Sequence, residues 1–125
     1  MIQNVVRGLV AVVGVFGLFV AVRFWMDPVG PGAQLGLAAL NELGYSSLRA
    51  DLGSFFGVGG LFALTAAIRN DRRWALVPLA MFGFALTARL ATAAGHGFGE
   101  VIQPIAVEAA FTALMAVAAR VLGRG

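Results

Sequence analysis

The apolar run FALTARLATAAGHGFGE carries Arg89 in its middle, then the only histidine of the chain, His96, then Glu100. Glu108 follows in the next apolar run, and Arg49 and Asp51 stand two apart just ahead of the glycine-rich stretch LGSFFGVGG. A guanidinium offers forked donors suited to carboxylate or phosphate. A carboxylate such as Asp51 or Glu108 can balance it or serve as a general base. His96 has no second histidine and no cysteine as a partner, so no metal site and no cofactor are expected. GVGG is not a phosphate loop, because no strand precedes it and no Gly-Lys-Ser follows.

The elements that must position these side chains are apolar. Of 125 residues, 60% are hydrophobic and only 12% charged, with a mean hydropathy of +0.89, whereas soluble domains carry about a quarter charged residues. An integral membrane protein is expected. About 20 residues cross the hydrocarbon as a helix, and four spans use nearly the whole chain, at about 5–25, 52–68, 74–94 and 101–122. The expected fold is all-α, a single-domain transmembrane four-helix bundle. The N-terminal apolar run is read as an uncleaved span, because no small-x-small cleavage site follows it. Gly53, Gly57 and Gly60 in the second run predict close approach of a neighbouring helix. Pro78 and Pro104 fall near the starts of the third and fourth, where a missing N–H does little harm.

All basic residues are arginine, with no lysine, a composition that fits a GC-rich bacterial genome. Arg69, Arg72 and Arg73 in the link RNDRR, with Arg7, Arg120 and Arg124 near the chain ends, predict that both termini face the cytoplasm. The expected location is the bacterial inner membrane, multi-pass. The outer side then receives a loop at 27–50, with room for an interfacial helix at 33–43 stopped by Gly44. Ser46 or Ser47 is placed to cap the next span. The arginines are scattered among apolar runs and form no polar face, which argues against a nucleic-acid partner.

This topology predicts a pairing. Arg89 lies five residues below the outer end of the third span, roughly 7 Å at 1.5 Å per residue. Glu108 lies seven residues into the fourth, roughly 10 Å by the same rise. Opposite charges at similar depth on adjacent helices are the expected way to tolerate either in lipid. Arg23, Arg49, Asp51, His96 and Glu100 fall in the same outer half.

The segments GYSSLRADLGSFFGVGGLFALTAAIRNDRRW, MFGFALTARLATAAGHGFGEVIQP and VEAAFTALMAVAARVL together resemble the small bacterial four-helix membrane proteins grouped as domain of unknown function 4345. The motifs behind the resemblance are an Arg-x-Asp ahead of a glycine-rich second span, a late arginine in the third, an Asp-Gly turn and a glutamate in the fourth. Arg49 with Asp51, Arg89 and Glu108 match. The turn departs, with His96-Gly97 in place of Asp-Gly. The resemblance implies a fold and a polar constellation, and no activity.

Three function classes follow. The first is a binding or carrier module whose outer cavity, lined by Arg, Asp and Glu, takes an anionic membrane lipid or small amphiphile. The second is an accessory subunit, as a homo-oligomer or within a larger membrane complex. The third is a small intramembrane enzyme with Glu108 or Asp51 as base, the weakest of the three, because carboxylate catalysis needs separated pKa values and a positioned substrate.

Overall fold

A computed structural model of the chain describes residues 1–124. It is helical, with no strand among the described residues. The elements are α1 (Ile2–Met26), α2 (Val29–Gln34), α3 (Glu42–Ser47), α4 (Gly53–Arg69), α5 (Leu76–His96) and α6 (Ile102–Val121). A π-turn at Leu48–Leu52 joins α3 to α4 without a break, and single 3₁₀ turns lead into α5 and α6. Four helical stretches are long and apolar enough to cross a membrane: Ile2–Met26, Glu42–Arg69, Arg72–His96 and Gly99–Val121. They stand antiparallel in the circular order α1, α4, α5, α6, each touching the two beside it.

The closest approach is between α1 and α4, and glycines on both sides permit it. A Cβ on Gly60 would stand 2.7 Å from the Gly14 carbonyl oxygen and 2.8 Å from the Leu18 nitrogen. One on Gly17 would stand 2.8 Å from the Phe56 carbonyl oxygen. With no side chain between them the backbones meet directly, the contact that small residues provide where lipid supplies no hydrophobic drive. Gly53 is covered by the Trp25 indole. Gly57, expected in the same seam, meets only the Ala21 methyl at 3.4 Å, an ordinary contact.

The end that carries the termini is solid. Val6, Val10 and Val13 of α1, Ala63, Ala66 and Ala67 of α4, and Met115, Ala118 and Leu122 around the end of α6 are buried together. Asn70 closes this end. It takes the left-handed conformation at φ 51°, and its Oδ1 accepts from Gln3 Nε2 at 3.2 Å and from the Gly123 amide at 3.1 Å. Arg7 Nε donates to the Ala67 carbonyl at 2.9 Å, satisfying a last-turn acceptor of α4. Arg7, Arg69, Arg72, Arg73, Arg120 and Arg124 thus belong to one end. Beside them the Arg73 guanidinium, bonded to Asp71, holds that carboxyl below its ordinary range. This contact acts at neutral pH and is lost as pH falls through the lowered value.

The opposite, distal end differs from expectation. No helix forms over 33–43. Instead α2 stops at Gln34 because Gly36, at φ 75°, turns the chain into a Schellman motif. The Leu37 amide reaches the Gly32 carbonyl at 2.8 Å, and the Gly36 amide reaches the Ala33 carbonyl at 3.0 Å. The second long helix also begins ten residues before the expected 52, at Glu42, where the Asn41 side chain caps it by accepting from the Gly44 amide at 3.1 Å. Gly44 therefore lies inside a helix, and Ser46 and Ser47 cap nothing.

Candidate functional site

Beyond the solid end the bundle opens into a half-open cavity of about 520 Å³ among all four long helices, roofed by Pro31, Gln34 and Leu35, with Phe16, Phe19, Arg23 and Val107 exposed along its edge. Its polar groups are Arg23, Gln34, Arg89, Gln103 and Glu108. Most of the remaining lining is phenylalanine.

Helical spacing puts these groups together. In α6, Pro104, Val107, Glu108 and Phe111 follow the 3-4-7 spacing of a single helix face. In α1 the corresponding set is Phe16, Phe19, Val20 and Arg23. In α5, Phe82 and Arg89 lie two turns apart on one face. Arg89 Nε donates to Glu108 Oε1 at 2.6 Å, with the arginine side chain 31% exposed and the glutamate 12%. The predicted pair is thus formed, in the cavity wall. Arg23 lines the same cavity and makes no ion pair among the described residues. The lining therefore holds two guanidiniums against one carboxylate.

An aromatic chain closes the cavity on the side of the solid core. Phe16 of α1 meets Phe111 of α6 with ring centroids 6.1 Å apart. Phe111 meets Phe82 of α5 at 5.3 Å, and Phe82 meets Phe55 of α4 at 5.8 Å. Each long helix contributes one ring to this floor. Phe55, Phe82 and Phe111 also touch the buried core beneath. From Phe55 the series climbs the wall through Phe56 to Phe24.

The remaining expected site residues lie elsewhere. Arg49 and Asp51 occupy the π-turn, both exposed and not bonded to each other. Arg49 Nε donates instead to the Trp25 carbonyl at 3.1 Å, tying the π-turn to the end of α1. Asp51 is a full nine residues into the second long helix and does not stand at its start, so it has no first-turn interaction with the helix dipole. His96 and Glu100 are exposed in and beside the α5–α6 turn and do not reach the cavity. No cluster of potential metal ligands exists among the described residues.

The phenylalanine floor and the two glutamines go beyond the sequence expectations. Same-face spacing marks Phe111, three residues after Glu108, and Phe16, seven before Arg23, but no such spacing ties Gln103 to Glu108. Thr112 was also unforeseen. Its Oγ1 is buried with no hydrogen-bond partner among the described residues, whereas Thr65, Thr87 and Thr92 each donate to the carbonyl four residues back.

Comparison of the chain with protein-family models, with curated proteins and with solved structures finds no match.

Proposed function

We propose that this chain is a multi-pass protein of the bacterial inner membrane, with both termini cytoplasmic, and that its outward-facing end binds an anionic lipid or small amphiphile. The observation that carries this is the 520 Å³ cavity, apolar in most of its lining, with Arg23, Arg89 and Glu108 at its polar part. That volume lies in the roughly 300–1,000 Å³ range of small-molecule sites, and a few placed polar groups in an apolar pocket are their usual chemistry. Ionisable side chains kept among apolar helices support a functional reading over a packing one. The arginines gathered at the terminal end support the orientation. Membership of the family named domain of unknown function 4345 is part of this proposal and rests on Arg49, Asp51, Arg89 and Glu108.

The test is native mass spectrometry of the purified protein, compared with a Val107→Trp variant that fills the cavity from α6. The native chain is expected to retain an anionic amphiphile that the variant has lost at unchanged helix content. A native chain that carries no more bound amphiphile than the filled variant rules the proposal out.

A further inference from the structure

We infer that the cavity selects a single-chain amphiphile with one negative charge, that Arg23 reads the headgroup, and that the four-phenylalanine floor limits the length of the chain. The inference rests on the cavity reading proposed above and narrows it to a ligand class.

The headgroup charge follows from the lining. Arg89 and Glu108 neutralise each other at 2.6 Å, and Arg23 is the cation left over. One anionic group balances it. A second negative charge would face the Glu108 carboxylate, and a cationic headgroup would face Arg23 with no free carboxylate to turn to. Arg23 is also placed to reach a ligand under the roof. Its Nη2 lies 3.5 Å from where a Cβ on Gly30 would stand, so the guanidinium rests against the start of α2, at a position with no side chain to displace it. A guanidinium on an apolar wall suits a carboxylate or a phosphate monoester anion alike, through forked hydrogen bonds.

The chain limit follows from the helix register. Phe16 precedes Arg23 by seven residues and Phe82 precedes Arg89 by seven, so in each helix the backbone of the floor residue lies roughly 10 Å along the axis from that of the arginine. Below the floor lies the buried core around Val10, Ala63, Met115 and Ala118. An alkyl chain that fits above the rings exchanges lipid for lining of similar polarity at little gain per methylene, whereas a longer chain must displace a ring or turn back. A bilayer phospholipid brings two long acyl chains, of which a space of about 520 Å³ above this floor takes at most one.

The experiment places the full chain in phosphatidylcholine nanodiscs and measures occupancy by native mass spectrometry. The probes are octanoate, dodecanoate, hexadecanoate, dodecyl phosphate, dodecanol and dodecyltrimethylammonium. Measured against each probe's concentration in the nanodisc, hexadecanoate is expected to bind more weakly than octanoate, and dodecyltrimethylammonium not to bind. Dodecyl phosphate, singly charged at mildly acidic pH, binds there and weakens as its second proton leaves. Arg23→Gln is expected to weaken dodecanoate at least about tenfold while leaving dodecanol unchanged, and Arg23→Lys to recover most of the loss. Equal binding of dodecanoate to native and Arg23→Gln protein overturns the inference, as does displacement of dodecanoate by phosphatidylglycerol added to the nanodisc. Either result leaves the cavity proposal standing if Val107→Trp still abolishes binding. Failure of every probe to bind the native chain overturns both.

Discussion

Arg89 on α5 and Glu108 on α6 join across the seam of a helix hairpin, Nε to Oε1 at 2.6 Å, with the glutamate the more enclosed of the two. Removing one partner strands the other in an apolar wall, and breaking such a pair costs about 3 kcal/mol. Arg89→Leu and Glu108→Leu alone should each lower the melting temperature in detergent. The double leucine variant should melt close to the native protein, since apolar replacement of both partners is often neutral, while losing retained anionic amphiphile. A double variant whose loss equals the sum of the two single losses would show that the two residues do not act as a pair.

The α1–α4 seam makes a sharper prediction about glycine. Gly60→Ala puts a methyl 2.7 Å from the Gly14 carbonyl oxygen, a backbone atom that no rotamer change can move aside. The helices must separate, at a cost of about 1–3 kcal/mol. Gly57→Ala meets only the Ala21 methyl at 3.4 Å and should leave stability within about 0.5 kcal/mol of native. Thermal denaturation of the two variants side by side decides it. Equal losses would mean that the backbone contact at Gly60 does not hold the seam.

Thr112 carries a hydroxyl that is buried without a partner. Valine has the same shape and no polar atom, so Thr112→Val should be about 1 kcal/mol more stable. The same change at Thr87, whose hydroxyl donates to the Gly83 carbonyl at 2.8 Å, should bring no gain. A destabilised Thr112→Val protein would reveal a partner for that hydroxyl in the membrane-embedded state.

Orientation can be read with single cysteines, since the native chain has none. Arg72 and His96 are exposed and lie at opposite ends of one long helix. An impermeant maleimide should label Arg72→Cys only from the cytoplasmic face and His96→Cys only from the other. Labelling of both from one face would remove the transmembrane arrangement on which the outward-facing cavity depends.

The four long apolar helices and the meeting of Arg89 with Glu108 are legible in the chain before it folds. Both follow from local quantities, namely the length of an apolar run and the depth of a charge along it, and antiparallel neighbours must then match charge with charge at equal height. The half of the bundle that holds Arg23 is legible in the same way. At the start of the second long helix Asn41 and Gly44 compete as signals. Gly44 reads as a stop, yet Asn41 caps the helix and Gly44 supplies the amide for that cap. The helix expected at 33–43 fails because Gly36 at positive φ satisfies the last carbonyls of α2 before the leucine pattern can continue.

Which charged residues share a space depends on how the four helices pack. Arg49 and Asp51 look like a pair in the sequence, yet two positions along a helix point apart by about 200°, and the carbonyl of Trp25 takes the arginine. Arg23 joins Arg89 and Glu108 because α1 and α6 stand side by side, an adjacency set by where Gly14 and Gly17 let α4 approach α1 on its other side. The floor is a property of four helices at once. Phe16, Phe55, Phe82 and Phe111 are unremarked apolar residues in their own segments, and only the relative rotation and register of the four helices brings their rings to one level and leaves the space above them open.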